Sequence, residues 1–193
     1  MSFSVIRHKD THQAHVIMGC RAMSARHPDR YAMHLLNNIL GGPAITARLN
    51  VSLRERAGLV YTVQSIYASY PEEGLWEVYF GCDPGDTARC RHLVERELRR
   101  IIEKPLTPRQ LQAAKKQYKG QVGIARSNRE NYAVSLGRSY AMYGHMLPLK
   151  ELHARIDAVS AEDLQRVAAE YLQPETLSIL IYTPNEKDSA LPH

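Results

Sequence analysis

Apolar positions along this chain recur on two periods, about 3.6 residues in some stretches and about 2 in others, so both helices and strands are written into it. The run Gln13–Cys20, QAHVIMGC, is dense in β-formers and predicts a buried strand. After His27-Pro28-Asp29 the period lengthens, and Tyr31, Leu35, Ile39 and Leu40 form one face of a helix. Gly41-Gly42 ends it with a residue able to take positive φ, and Pro43 forbids continuation. Ile45, Leu49 and Leu53 predict a second, short helix over 44–56, closed by Gly58. Leu59–Tyr70 and Leu75–Cys82 are crowded with β-branched and aromatic residues on either side of Pro71-Glu72-Glu73-Gly74, which reads as a β-hairpin.

The helical period then takes over. Asp86 is placed to cap a helix whose Cys90, Leu93, Val94, Leu98, Ile101 and Ile102 share a face. Thr107-Pro108-Arg109-Gln110 spells a capping box with proline at the first helical position, followed by the stripe Leu111, Ala114, Tyr118, Val122 and Ala125. Asn131–Tyr143 predicts another helix, stopped by Gly144 ahead of Pro148, and Leu149–Ala158 a shorter one. Ser160-Ala161-Glu162-Asp163 launches a helix through Leu164, Val167, Ala168, Tyr171 and Leu172, and Thr176–Thr183 is a final strand. Hairpin strands followed by a run of helices argue for an α+β fold in two layers, an antiparallel-containing mixed sheet with helices packed on one face. No repeat or linker interrupts the order, so one domain is expected over residues 1–184, with a frayed tail over 185–193.

Length and composition agree with that picture. With 193 residues, 44% hydrophobic and 23% charged, the chain has the make-up of an ordinary globular domain, not of a collagenous or disordered one. Its longest apolar runs fall far short of the roughly 20 residues needed to cross a bilayer. The start MSFSVIRHKD offers no signal peptide, which leaves the compartment open between cytoplasm and periplasm. A net charge of +5 makes acidic partners conceivable, but basic residues in stretches such as VERELRRIIEK have acids beside them and read as a solvated face. No aromatic RNA motif or finger spacing supports a nucleic-acid binder. Cys20, Cys82 and Cys90 are odd in number and unpaired in spacing, which suits burial or a reducing compartment better than a disulfide framework.

Nine histidines prompt a search for metal ligands. A His-x-x-Glu-His helix puts two imidazoles one turn apart with a Glu beside them as general base. The nearest approach is His92-Leu93-Val94-Glu95-Arg96, where a fixed cation replaces the second ligand. His34 is followed four residues later by Asn38, a poor zinc ligand, and His8, His12 and His15 straddle a turn and a strand start with only Asp10 nearby. His12 and His15 are expected on opposite faces of that strand. No serine or cysteine stands in a nucleophile elbow, and Gly41-Gly42-Pro43 ends a helix where a phosphate loop would open one. One polar constellation remains: Arg54 near a helix end and Tyr61 early in a strand, joined through Gly58. A guanidinium and a phenol so placed either grip peptide carbonyls or serve structure alone.

THQAHVIMG, LLNNILGG, ARLNVSLRERAGLVYTV and the late AVSAEDLQRVAAEYLQPETLSILIYTP together resemble the carboxyl-terminal half-domain of the pitrilysin/insulinase family of zinc metallopeptidases, to which mitochondrial processing peptidase also belongs. The resemblance runs from about Arg7 to Pro184, and LLNNILGG with LRERAGLVY is its most specific part. It implies a clamshell of two homologous α+β domains, the first carrying His-x-x-Glu-His and a distal Glu, the second without metal. His34-Leu35-Leu36-Asn37-Asn38 stands where the catalytic half places its motif, so this chain resembles the non-catalytic half, cut from a longer polypeptide or acting as a partner chain. The family's second domain contributes an arginine and a tyrosine seven residues apart to substrate binding, and Arg54 and Tyr61 match that spacing.

The resemblance therefore implies no metal in this chain and zinc in a homologous partner half-domain, which together would cleave peptides while this chain alone stays inert. Tyr61 would donate to the oxyanion and Arg54 hold a backbone carbonyl. Two other readings stay open on the residues: a purely structural partner in which Arg54 and Tyr61 merely pack, and a basic nucleic-acid-binding domain.

Overall fold

The structure, a computed structural model, describes residues 2–185, so the tail expected over 185–193 lies outside the described residues beyond Asn185. Its strands are β1 (Ser4–Lys9), β2 (Ala14–Ala22), β3 (Val60–Ser69), β4 (Gly74–Cys82) and β5 (Ser178–Pro184). Its longer helices are α1 (Arg30–Gly41), α2 (Thr87–Glu103), α3 (Pro108–Ser127), α4 (Arg129–Tyr143), α5 (Leu149–Ala158) and α6 (Ala161–Tyr171). The strands make one sheet in the order β1-β5-β2-β4-β3, antiparallel throughout except for the parallel pair β1 and β5. The α+β class read from the sequence is the class observed. Among the described residues no helix is long and apolar enough to cross a membrane.

Period-two alternation decides which face of the sheet is covered. Val16 and Met18 on β2, Trp76, Val78 and Phe80 on β4, and Ile179 and Ile181 on β5 are buried on one side. Across that side lies α1, which presents Met33, Leu35, Leu36 and Leu40 and packs on β3 and α6. α2 adds Leu93, Val94, Leu98 and Ile101 and also packs on α6. Both capping boxes form: Thr107 with Gln110 opens α3, and Ser160 with Asp163 opens α6.

Several local readings are corrected. β1 has no counterpart in the sequence reading, because SVIRHK holds only two apolar residues and becomes a strand through its partner β5. β2 begins at Ala14, so His12 belongs to the preceding turn, and the expectation of His12 and His15 on opposite strand faces fails. Asp86 makes no side-chain cap on α2; the hydroxyl of Thr87 bonds the Pro84 carbonyl at 2.9 Å instead. The helix expected over 44–56 forms only from residue 48, after a turn, and is π-helical over Asn50–Arg56. Gly42 does not take positive φ: it is extended at φ −64° and ψ 175°. The glycines are there for close approach, since a Cβ on Gly41 would collide with the Ser65 backbone and one on Gly42 would sit 2.5 Å from Asn38 Oδ1.

Candidate functional site

The π-helical segment buries Ser52 and Leu53 and leaves Arg54, Glu55 and Arg56 exposed in succession. Gly58, at φ 63°, then turns the chain into β3, a conformation that a side chain would strain. Two bonds fix the turn: Gly58 N–H donates to the Arg54 carbonyl and Leu59 N–H to that of Leu53, each at 3.0 Å. Arg54 is exposed and, among the described residues, its side chain makes no hydrogen bond or ion pair. That side chain lines a cleft of about 370 Å3 bounded by the end of α1, the Gly42–Ile45 turn, Asn50, Tyr118 and Thr62–Ser65 of β3.

Tyr61 lies beside this cleft, outside its lining. The pairing of β3 with β4 shifts register between Val60 and Thr62, which makes Tyr61 the extra residue of a β-bulge, a device that re-aims a side chain. Its ring is exposed and its hydroxyl donates to Asp83 Oδ1 at 2.8 Å. That bond, and the carboxylate charge behind it, raise the phenol above its ordinary pKa, so Tyr61 is a protonated donor at neutral pH. Asp83 sits at the head of the short 3-10 turn Pro84–Asp86, caps nothing with its side chain, and spends it on Tyr61. No described hydrogen bond joins Arg54 to Tyr61. The turn puts them at one corner of the molecule, with Arg54 toward the cleft and Tyr61 bound to the end of β4.

The cleft is also lined by His34, Asn37 and Asn38 of α1, the residues that the resemblance aligns with a zinc motif. Asn37 Nδ2 donates to the Ser65 carbonyl at 3.2 Å, its Oδ1 accepts from Trp76 Nε1 at 3.1 Å, and its own carbonyl accepts from Ser65 Oγ at 3.0 Å. The buried Asn38 gives its carbonyl to the N–H of Gly42 at 3.2 Å. The imidazole of His34 packs against Tyr67 with centroids 4.7 Å apart, and burial, helped by Arg30 and Arg138, pushes its pKa down to about 4. One neutral imidazole beside two neutral amides, of which Asn37 is committed to Ser65 and Trp76, does not fit a zinc ion.

The other histidines are dispersed. His8 Nδ1 is bonded to the Pro184 carbonyl, His15 stacks on and bonds Tyr79, and His92 is exposed on α2. Among the described residues no three His, Cys, Asp or Glu side chains group as metal ligands. Sequence reasoning noted Asn37 and Asn38 only as unsuited to a zinc motif and did not single out Ser65 or Asp83. The contacts that place Asn37, Ser65 and Asp83 join residues 22 to 39 positions apart.

Residues 2–118 match the model of the peptidase M16 inactive domain. An uncharacterized zinc protease of Streptomyces coelicolor is 30% identical over 85% of this chain and 36% of its own length. The beta subunit of the mitochondrial-processing peptidase of Bos taurus is 27% identical over 90% of this chain and 37% of its own. Among solved structures, a peptidase M16 inactive domain from Pseudomonas fluorescens superposes with a TM-score of 0.81 at 20% identity, over 95% of this chain and 44% of that one. The chain thus spans a little over a third of the length of these curated relatives.

Proposed function

This chain belongs to the M16 peptidase family, as the carboxyl-terminal inactive domain of its zinc peptidases, and from that premise we propose that residues 1–184 form one half-domain that binds extended peptide and completes a composite active site with a zinc-bearing half. The single observation carrying this reading is the free guanidinium of Arg54 on the wall of the cleft, one glycine turn away from a protonated phenol. An exposed arginine whose guanidinium makes no bond among the described residues keeps five N–H donors for a ligand, and peptide carbonyls are natural acceptors.

Zinc bound in the partner half would supply an activated water. Arg54 holds a substrate carbonyl and keeps the peptide extended along the corner. Tyr61 has one O–H to donate, and in the free chain Asp83 accepts that hydrogen bond. To donate to a developing oxyanion the hydroxyl has to turn away from Asp83, a motion available to an exposed ring on a bulge. One such donor is typically worth about 10²–10³ in rate. The partner half can lie in the same longer polypeptide or in a separate subunit.

The Tyr61–Asp83 bond also favours a second reading, a structural partner in which Tyr61 pins the β3 bulge to the end of β4 and never meets substrate. Titrating the chain with a zinc-bearing M16 half, with and without an uncleavable peptide, separates the two. The composite site predicts that peptide tightens association and that Arg54→Ala removes the gain. A purely structural partner predicts equal affinity in all four cases.

A further inference from the structure

A second hollow lies beside the π-helical segment, between it, the end of α2 and the start of α3. At about 560 Å3 it is larger than the Arg54 cleft and shares no lining residue with it. Its charged lining comprises Arg48, Arg56, Arg100 and Lys104 against Glu97 and Glu103, an excess of two positive charges.

The acids neutralise it only in part, Glu97 pairing with Arg100 and leaving the other three cations. Glu97 is 5% exposed and already taken, with Arg100 donating to its Oε1 at 2.8 Å and the Arg96 guanidinium 3.9 Å away. Glu103 is exposed to solvent at the rim, where a carboxylate is strongly screened. Among the described residues the side chains of Arg48, Arg56 and Lys104 make no ion pair and no hydrogen bond. Arg48 is partly buried, and burial lowers its pKa, opposed by Glu97 and reinforced by Arg100. A cation withdrawn from water without a partner of its own is an arrangement that an incoming anion relieves. The helix ends do not decide the matter: α2 finishes and α3 begins at the same rim, so their dipoles oppose, and the first donors of α3 are used in its capping box.

The geometry points to a binding site for a small phosphate-bearing anion of two or more charges, held by Arg48, Arg56, Arg100 and Lys104. Two unpartnered guanidinium forks, a third shared with Glu97, and an ammonium around one hollow suit a group with several oxygens in tetrahedral array, whereas a lone carboxylate satisfies a single fork. The volume admits two linked phosphates. This inference is independent of the roles of Arg54 and Tyr61.

The test is calorimetric titration of the purified protein with inorganic pyrophosphate at low ionic strength, with citrate as a carboxylate of comparable charge. The expected result is one pyrophosphate per chain, weakening as salt rises, and bound at least tenfold more tightly than citrate. Arg48→Gln should weaken it about tenfold and Arg56→Gln severalfold. Lys116→Gln, which removes the same charge from an exposed site outside the hollow, should leave it unchanged. Arg48→Gln is not expected to lower the melting temperature, since it deletes a desolvated cation; should it fail to fold, the exposed Arg56 carries the test alone. Absence of binding, equal affinity for citrate, or pyrophosphate affinity indifferent to these lining variants would overturn the assignment.

Discussion

Asn37→Asp exchanges one atom for another of nearly equal size and reverses a hydrogen bond. In the native chain the Asn37 amide donates to the Ser65 carbonyl and its oxygen accepts from the buried Trp76 indole. An aspartate keeps the second bond and turns the first into a carboxylate facing a carbonyl. Losing the bond costs about 1 kcal/mol, and leaving the Ser65 carbonyl unsatisfied against a negative charge adds about 1–2 kcal/mol. The expected destabilisation at pH 7 is therefore about 2–3 kcal/mol, or a fall of roughly 4–12 °C in melting temperature for a domain of this size.

The sign of the pH dependence follows. A protonated carboxyl donates to Ser65 as the amide does, so folding favours the protonated form and raises the pKa of the introduced carboxyl above its unfolded value of about 3.9. A penalty of about 2–3 kcal/mol corresponds to roughly 2 pH units at 1.36 kcal/mol each, placing the folded pKa near 6. Relative to wild type, the variant's stability is recovered below about pH 4 and lost as pH rises through about 6. Urea melts of both proteins from pH 4 to pH 8, compared at each pH, measure the difference directly. A gap at pH 7 below about 0.5 kcal/mol, or one that does not change across the series, would refute the account of Asn37 as a strut between α1, β3 and β4.

Other expectations follow from the same contacts. Gly41→Ala should destabilise by about 2 kcal/mol or more because its methyl group meets the Ser65 backbone, while Gly120→Ala, in open space within α3, should stabilise by about 0.5–1 kcal/mol; thermal melts of the two should move in opposite directions. Leu36→Asp and Leu98→Asp each place a carboxylate at a fully buried position and should unfold the domain, visible as loss of the cooperative circular dichroism transition; an unchanged midpoint in both would mean that the packing of α1 and α2 is wrong. Elemental analysis after dialysis should find no stoichiometric zinc, and one zinc per chain, lost on mutating His34 or His92, would contradict the reading of α1 and α2 as metal-free.

The sequence was most legible where the determinants are local. The stripes of α1, α2 and α6 and the capping boxes at Thr107 and Ser160 each lie within a few helical turns, and all of them form. It was least legible where a residue answers to a distant one. Ser4–Lys9 is a strand only because β5 lies beside it, Gly41 is glycine because Ser65 passes close to it, and Tyr61 is engaged by Asp83 across a hairpin. The candidate pair Arg54 and Tyr61 came from spacing and resemblance. Spacing carries the Gly58 turn, but not the direction each side chain takes from it.

The composite site is tested most directly by peptide cleavage in a mixture of a zinc-bearing M16 half with this chain, either wild type or Tyr61→Phe. The substitution removes one exposed hydroxyl and leaves the ring and the core untouched, so the melting temperature should hold within a few degrees. If Tyr61 leaves Asp83 to donate to the oxyanion, kcat/KM falls by roughly two orders of magnitude. Arg54→Lys should fall with it, because a point charge does not reproduce the planar fork. Full activity in both variants, with folding intact, would leave Arg54 and Tyr61 as structure and contradict the claim that this domain completes an active site.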